Sequence, residues 1–120
     1  MGKRSRTKGH AFEREVANRL NEAFRFDEDH TGRFKRVLIE TREGNSGDVR
    51  SRVVPLVVQC KVGERPPVYD AVDEAVEATI EGMLPFAAIR RNRRGPRPMK
   101  ELGIFRLEDA LMLLKGWWLG

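Results

Sequence analysis

The spacing of apolar residues along the chain predicts an alternation of helices and strands. In three segments the apolar positions recur every third or fourth residue, which is typical of amphipathic helices. They span residues 9–24, 68–81 and 107–115. Five shorter segments carry apolar residues without this helical spacing and predict strands. They span residues 34–40, 48–50, 53–62, 85–91 and 102–107.

The order of these elements indicates one α/β domain. It runs helix, three strands, helix, two strands, helix, and so predicts a central mixed β-sheet flanked by α-helices. Residues 53–62 are nearly continuously apolar and are expected at the centre of the sheet. Residues 1–8 are too polar to pack and predict a flexible basic N-terminal arm, which leaves 9–120 as the single folded domain.

Length and composition exclude several classes of protein. At 120 residues the chain can bury a core of its own without disulfides or a structural metal. One cysteine, Cys60, and two histidines, His10 and His30, cannot complete a four-ligand zinc site. No apolar run approaches the ~18 residues that a membrane span needs. We therefore expect no membrane partner and a cytoplasmic protein, in the host cytoplasm if a phage encodes it.

Charge is unevenly distributed along the chain. There are 23 Lys and Arg against 18 Asp and Glu, and the formal net charge is +5. Residues 1–10 and 90–100 are basic without acids, whereas 63–82 are strongly acidic. A basic arm and loop suit phosphate contact, although a solvated terminus is an alternative for the arm. The predicted DNA-binding residues in these stretches are Lys3, Arg4, Arg6, Lys8, Arg90, Arg91, Arg93 and Arg94.

Glu13 interrupts the apolar face of the first helix. At ~100° per residue, the apolar residues from Phe12 to Phe24 cover an arc of about 120°, and Glu13 is the only charged residue inside it. A carboxylate facing a core costs several kcal/mol unless a cation compensates it. Glu13 is therefore a candidate site residue, the alternative being that its side chain reaches water at the helix end.

A second irregularity lies on the strand predicted at 53–62. Alternation places Cys60 on an apolar face and Gln59 and Lys61 on the other face. A central strand should be apolar on both faces, so Gln59 and Lys61 need a polar partner unless the strand end is solvated. Asp48, which follows a glycine-containing turn, and Glu13 are the acids that the sequence offers. Cys60 itself is expected to be a small buried apolar residue.

These residues together resemble the PD-(D/E)XK nuclease superfamily. Its pattern is matched by Glu13 on a helix, Ser46-Gly47-Asp48 entering a strand, and Gln59-Cys60-Lys61 on the next strand. The segment Lys8 to Glu15 (KGHAFERE) is similar to the start of the archaeal-type, Hjc-like Holliday junction resolvases, whose relatives also occur in phages. The resemblance implies a restriction-endonuclease-like fold.

The resemblance also implies a function. It is that of a homodimeric, Mg²⁺-dependent endodeoxyribonuclease that resolves four-way DNA junctions by paired symmetric nicks, with Mn²⁺ as a substitute metal. Glu13, Asp48 and Gln59 would bind the metal, and Lys61 would orient or activate the attacking water. Ser46 would support the metal or the phosphate, and Arg14 would contact the DNA. Oxygen ligands of this kind suit Mg²⁺.

Gln59 departs from the family pattern, which usually has Glu at this position. An amide oxygen ligates Mg²⁺ without adding charge, so the sequence predicts weaker metal affinity than a three-carboxylate site would have. Alternatively, Glu64 or Glu40 supplies the third carboxylate.

Two other functions compete with junction resolution. One is a nuclease of the same fold that cuts ordinary duplex, and the other is a DNA-binding protein that has lost catalysis. A basic domain without a nucleic-acid role would leave Glu13, Asp48, Gln59 and Lys61 as unrelated accidents. The C-terminal residues Leu111, Leu114, Trp117, Trp118 and Leu119 are a candidate dimer interface, or else pack onto their own subunit.

Overall fold

A computed structural model describes residues 2–37, 47–92, 95–96 and 100–120, with the backbone alone for residues 2–8. Within these residues the elements follow the predicted order of helix, three strands, helix, two strands, helix. They are α1 (Gly2–Phe24), β1 (Lys35–Arg36), β2 (Val49–Arg50), β3 (Leu56–Gly63), α2 (Val68–Glu77), β4 (Leu84–Arg91), β5 (Lys100–Ile104) and α3 (Leu107–Leu119).

The described strands form one mixed sheet in the order β1-β2-β3-β4-β5. β3 pairs parallel with β4 over its whole length, and α2 connects the two. The other neighbours pair antiparallel. The predictions of an α/β domain with a mixed sheet, and of a central position for the most apolar strand, are confirmed.

Helices α1 and α2 contribute to two separate apolar clusters. Phe12 and Val16 of α1 belong to the same cluster as Val58 and Cys60 of β3. The other cluster joins Ala71 of α2 to residues of β4. Because side chains alternate along a strand, β3 presents Val58 and Cys60 towards α1 and the intervening residues towards α2.

Helix α2 packs on the sheet through small residues. A spacing of four places Val72, Val76 and Ile80 on one side of the segment 68–81, yet Ala71 and Ala75 are fully buried and Ile80 is 71% exposed. Helix α2 ends at Glu77, so Ile80 lies beyond it. Alanines allow the helix to approach the sheet closely, which larger side chains on that face would prevent.

Helix α1 begins at Gly2 and includes most of the segment predicted as a flexible arm. This boundary corrects the prediction that the helix begins at residue 9. Residues 2–8 contain no proline, and Lys and Arg are good helix formers, so nothing in the segment stops the helix. The side chains of the arm's candidate DNA contacts, Lys3, Arg4, Arg6 and Lys8, lie outside the described part of the structure.

Strand β3 begins at Leu56, three residues later than predicted. Ser51 Oγ accepts hydrogen bonds from the backbone N–H groups of Val53 and Val54, at 3.1 and 3.0 Å. Pro55 has no N–H to contribute to a ladder. The serine therefore turns the chain before the strand starts.

Helix α3 begins at Leu107 as predicted but continues to Leu119. Among the residues that the structure describes, no helix combines the length and the apolar character required to cross a membrane.

Candidate functional site

Glu13 is buried on the sheet side of α1 and is paired there with a cation. Its side chain is 11% exposed, and Arg36 Nε donates to Glu13 Oε1 at 2.9 Å. Arg36 comes from β1, which the fold brings against α1. The prediction of an inward-facing carboxylate is confirmed, and the alternative in which it reaches water is wrong. Arg36 compensates the charge, and no sequence pattern pointed to it.

Asp48 lies just before β2 and is held against β3 by hydrogen bonds. Its backbone N–H donates to Val58 O at 2.8 Å, and its carboxylate Oδ2 accepts a hydrogen bond from Cys60 N at 2.8 Å. The carboxylate therefore takes the place that a strand carbonyl would have in the ladder. Asp48 is 5% exposed, so this hydrogen bond is shielded from water.

Gly47 makes this close approach possible. Its φ is +82°, and a Cβ at this position would lie 3.0 Å from Val57 Cγ1 and 3.2 Å from Val58 O. Glycine is the residue that adopts this backbone conformation without strain and leaves the necessary space. The Gly47-Asp48 pair is thus a structural unit, whereas Ser46, the other predicted member of the motif, lies outside the described residues.

The pKa of the Cys60 thiol is raised by its surroundings. Burial raises the pKa of Cys60 far above its ordinary value, and the negative charges of Asp48 and Glu13 raise it further. The charges of both carboxylates thus act on one buried thiol. Cys60 remains a neutral thiol, in agreement with its predicted role as a small buried residue.

Gln59 and Lys61 have a partner that the sequence analysis missed. Lys61 Nζ lies 2.8 Å from Glu74 Oε2, and Gln59 Nε2 donates to the same oxygen at 3.0 Å. The prediction that Asp48 or Glu13 accepts these groups is wrong. Glu74 is on α2, in the segment 63–82 that the sequence shows to be strongly acidic. The available signal was the spacing of Ala71, Ala75 and Ala78, because Glu74 borders the face that these small residues define.

The four central residues of the predicted site therefore divide into two groups on opposite faces of β3. Glu13 and Asp48 lie near Cys60 on the α1 side of β3, whereas Gln59 and Lys61 contact α2. Within the described ranges, no group of three or more His, Cys, Asp or Glu side chains is arranged to hold a metal ion. Of the alternative carboxylates, Glu64 is exposed just after β3, and Glu40 falls outside the described part of the chain.

The chemistry of Glu13 and Asp48 nevertheless suits a hard cation. Both supply carboxylate oxygens, and Mg²⁺ is commonly bound through only one or two carboxylates with water completing its shell. A cation bound here would share Glu13 with Arg36, whose guanidinium now neutralises it. Glu13 and Asp48 are therefore the described residues that could hold a metal, whereas Gln59 is turned towards α2 on the opposite face of β3.

Arg90, a predicted DNA contact, makes its contacts with other residues of the same domain. Its guanidinium pairs with Glu15 of α1 and Glu101 of β5 and lies 4.6 Å from the centroid of the Phe12 ring. Glu101 also accepts a hydrogen bond from Arg19 at 2.8 Å, and the hydrogen bonds from Arg19 and Arg90 lower the pKa of Glu101. Arg90 therefore links α1, β4 and β5.

The other predicted DNA contacts divide into two groups. Arg14 is exposed on α1, and Arg91 is half-buried at the end of β4. Arg93 and Arg94 lie outside the described residues. Two predicted contacts, Arg14 and Arg91, thus remain candidates that the structure describes.

No family model, curated protein or solved structure matches this chain.

Proposed function

We propose that this protein is a metal-dependent endodeoxyribonuclease with a restriction-endonuclease-like fold, which resolves four-way DNA junctions by paired nicks. The observation that carries the proposal is the hydrogen bond from Cys60 N to the Asp48 carboxylate. It fixes an acidic oxygen donor against the strand that bears Gln59 and Lys61. A ligand held in this way needs little reorganisation when it takes part in a reaction.

In this proposal Asp48 and Glu13 bind the metal, and water completes its shell. Gln59 faces α2, so it would add its amide oxygen only after leaving Glu74. The bound metal would supply an activated water and would stabilise the charge that develops on the phosphate. Asp48 needs no movement of its backbone, because Gly47 and Val58 already position it. Lys61 would have to leave Glu74 on the α2 side of β3 before its positive charge could act on the phosphate.

Lys61 is available for this role at low cost. Its side chain is 28% exposed and that of its partner Glu74 is 43% exposed. Ion pairs exposed to this extent contribute about 0.2–1 kcal/mol, so a phosphate can compete with Glu74 for the ammonium group. Arg36 is held in a drier ion pair with Glu13, which suits a structural counter-charge.

The choice of DNA, and of four-way junctions in particular, is supported by the net charge of +5 and by the KGHAFERE segment that resembles junction resolvases. The exposed Arg14 of that segment is the proposed DNA contact. A nuclease of this fold that cuts ordinary duplex has the same site residues and differs in substrate geometry.

A second candidate function is DNA binding without catalysis. It is favoured by the internal partners of the site residues, since Arg36 neutralises Glu13 and Glu74 satisfies both Gln59 and Lys61. In that case the polar groups stabilise the fold and no metal is required.

One experiment distinguishes these functions. The protein is incubated with Mg²⁺ or Mn²⁺ and a labelled immobile four-way junction, and in parallel with linear duplexes of the same sequence. Asp48→Asn is the informative variant, because the amide oxygen can still accept from Cys60 N while the charge is lost. Asp73→Asn, on the exposed side of α2, is the matched control.

Paired symmetric nicks on the junction, kept in Asp73→Asn and lost in Asp48→Asn, would support the proposal. Equal cutting of linear duplex would replace junction resolution with general duplex cleavage. Tight junction binding without cutting in either metal would favour the second candidate.

A further inference from the structure

Helix α3 leaves an unusual amount of apolar surface in solvent. Seven of its large apolar side chains are at least 56% exposed, and an eighth is 40% exposed. They are Leu107, Leu111, Met112, Leu114, Trp117, Trp118 and Leu119, followed by Leu113. Soluble monomers rarely expose a contiguous apolar patch of this kind.

The side of α3 that faces its own domain is marked by two residues. Asp109 is buried and accepts a hydrogen bond from Arg106 Nε at 2.7 Å. Met112 lines a space of about 410 Å³ together with Asp109 and residues from the end of α1 and the start of β4. The opposite side of the helix therefore points away from the domain.

A regular seam runs along that outward side. Leu107, Leu111, Leu114 and Trp118 follow one another at intervals of four, three and four residues, which is the a/d spacing of a coiled coil. We call these four residues the α3 seam. Their exposures are 75, 56, 58 and 79%, so each can enter another helix surface.

Each edge of the α3 seam is complementary to the same edge of a second α3 helix when the two helices are antiparallel. One edge carries Glu108 near the start of the helix and Lys115 near its end, and the other edge carries Ala110 and Trp117. In a two-fold antiparallel pair, each edge runs beside the same edge of the partner in the reverse direction. Glu108 then meets Lys115 of the second copy, and Ala110 leaves room for Trp117, each contact occurring twice.

We propose that a second copy of this chain covers the α3 seam and that the two α3 helices pair antiparallel. A parallel pair would set the edge of Glu108 against the edge of Ala110 and Trp117, where no opposite charge is present. Only the antiparallel pair uses the exposed apolar seam, both charges and the size difference together. The proposal depends on α3 alone and not on nuclease activity.

The charges of α3 also favour a protein partner over a lipid surface. The helix has two acids, Glu108 and Asp109, against one base, Lys115. Helices that lie on anionic membranes are rich in Lys and Arg on their polar face, which α3 is not.

Charge reversal tests the pairing. The mass of the full chain is measured by light scattering across the micromolar range at low salt, for Glu108→Lys, Lys115→Glu and the double variant. Glu77→Lys, at an exposed position of α2, is the matched control. Thermal unfolding followed by circular dichroism confirms that each variant is folded.

We expect a dimer whose dissociation constant rises about tenfold in each single variant, because two attractive contacts become repulsive. It should return to within about threefold of the parent value in the double variant. A monomeric parent overturns the proposal. So does a dimer that is insensitive to both reversals, or one that the double variant fails to restore.

Discussion

Lys61 Nζ and Gln59 Nε2 share one acceptor, Glu74 Oε2, at 2.8 and 3.0 Å. A single carboxylate of α2 thus satisfies both polar side chains of the central strand. The contact also holds α2 against β3, and α2 is the helix that connects β3 to its parallel neighbour β4.

The first prediction concerns this shared acceptor. A double-mutant cycle with Lys61→Met and Glu74→Gln should give a coupling free energy of about 0.2–1 kcal/mol, because the pair is partly exposed and screened. Urea unfolding of the four proteins measures it. A coupling energy of zero at low salt would show that the two groups do not interact in solution. Asp73→Gln is the control, since that neighbouring acid is exposed.

The second prediction concerns Gln59 as a metal ligand. Gln59→Glu alone sets two carboxylates against each other, because Gln59 now donates to Glu74. Gln59→Glu with Glu74→Gln restores one donor and one acceptor and places a carboxylate at position 59. If Gln59 leaves Glu74 and joins Asp48 and Glu13 at the metal, the double variant should need less Mg²⁺ for half-maximal cleavage than the parent.

The readout for this prediction is the Mg²⁺ dependence of junction cleavage, together with the unfolding free energy of each variant. If the double variant is folded and needs as much Mg²⁺ as the parent or more, Gln59 is not a metal ligand.

The third prediction concerns Gly47. Gly47→Ala should lower the unfolding free energy by about 1–3 kcal/mol, since φ is +82° and the added Cβ would press on Val57 and Val58. Gly95→Ala is a matched control, because its φ is +56° and, among the described residues beyond its chain neighbours, no atom lies within 4 Å of the place a Cβ would take. Equal losses in both variants would mean that backbone strain alone matters and that the close approach to β3 does not.

The fourth prediction concerns Arg90. Arg90→Ala should lower stability by about 1–3 kcal/mol, because Glu15 and Glu101 lose a common partner and Phe12 loses the guanidinium above its ring. Denaturant unfolding measures this loss. Arg91→Ala, at the next position, is the control and should change stability by less than about 0.5 kcal/mol. A larger effect at Arg91 than at Arg90 would contradict the structural assignment.

The fifth prediction concerns pH. Hydrogen bonds from Arg19 and Arg90 lower the pKa of Glu101 in the folded protein. Its contribution to stability is therefore complete above the usual glutamate pKa of about 4.3 and is lost as the pH falls through the lower folded value. The stability difference between the parent and Glu101→Gln should be constant near neutral pH and shrink in acid.

Chemical unfolding between about pH 7 and pH 3 tests this dependence. Because Glu101 is largely exposed, the difference should remain below about 1 kcal/mol. A difference that grows on acidification would have the wrong sign for a lowered pKa.

Much of the fold followed from local patterns. Helical spacing and short apolar segments predicted the order of elements, and the apolar character of β3 predicted its central position. The predicted boundaries were wrong where local hydrogen bonds set the start of an element, as at Ser51 before β3. Helix α1 extends to Gly2 because nothing in its sequence stops it.

The candidate site was predictable residue by residue but not in its pairing. Helical and strand periods identified Glu13, Gln59 and Lys61 as polar groups at positions that favour apolar ones, and Asp48 was predicted as an acid that follows a glycine-containing turn. Their actual partners, Arg36 and Glu74, are distant in sequence from the residues they contact. No local pattern encodes such contacts, since they depend on how α1 and α2 pack on opposite sides of the sheet.

The sequence by itself determined the element order and placed Glu13 within the apolar arc of α1, because helical and strand periodicity fix which side chains share a face. Tertiary structure decided that Glu13 points inward and that the α3 seam is exposed. Tertiary structure alone decided that Asp48 bonds to Cys60 N and that Glu74 accepts Gln59 and Lys61. The reason is physical: a buried polar group takes whichever partner packing brings within hydrogen-bond distance, and packing is a property of the whole domain.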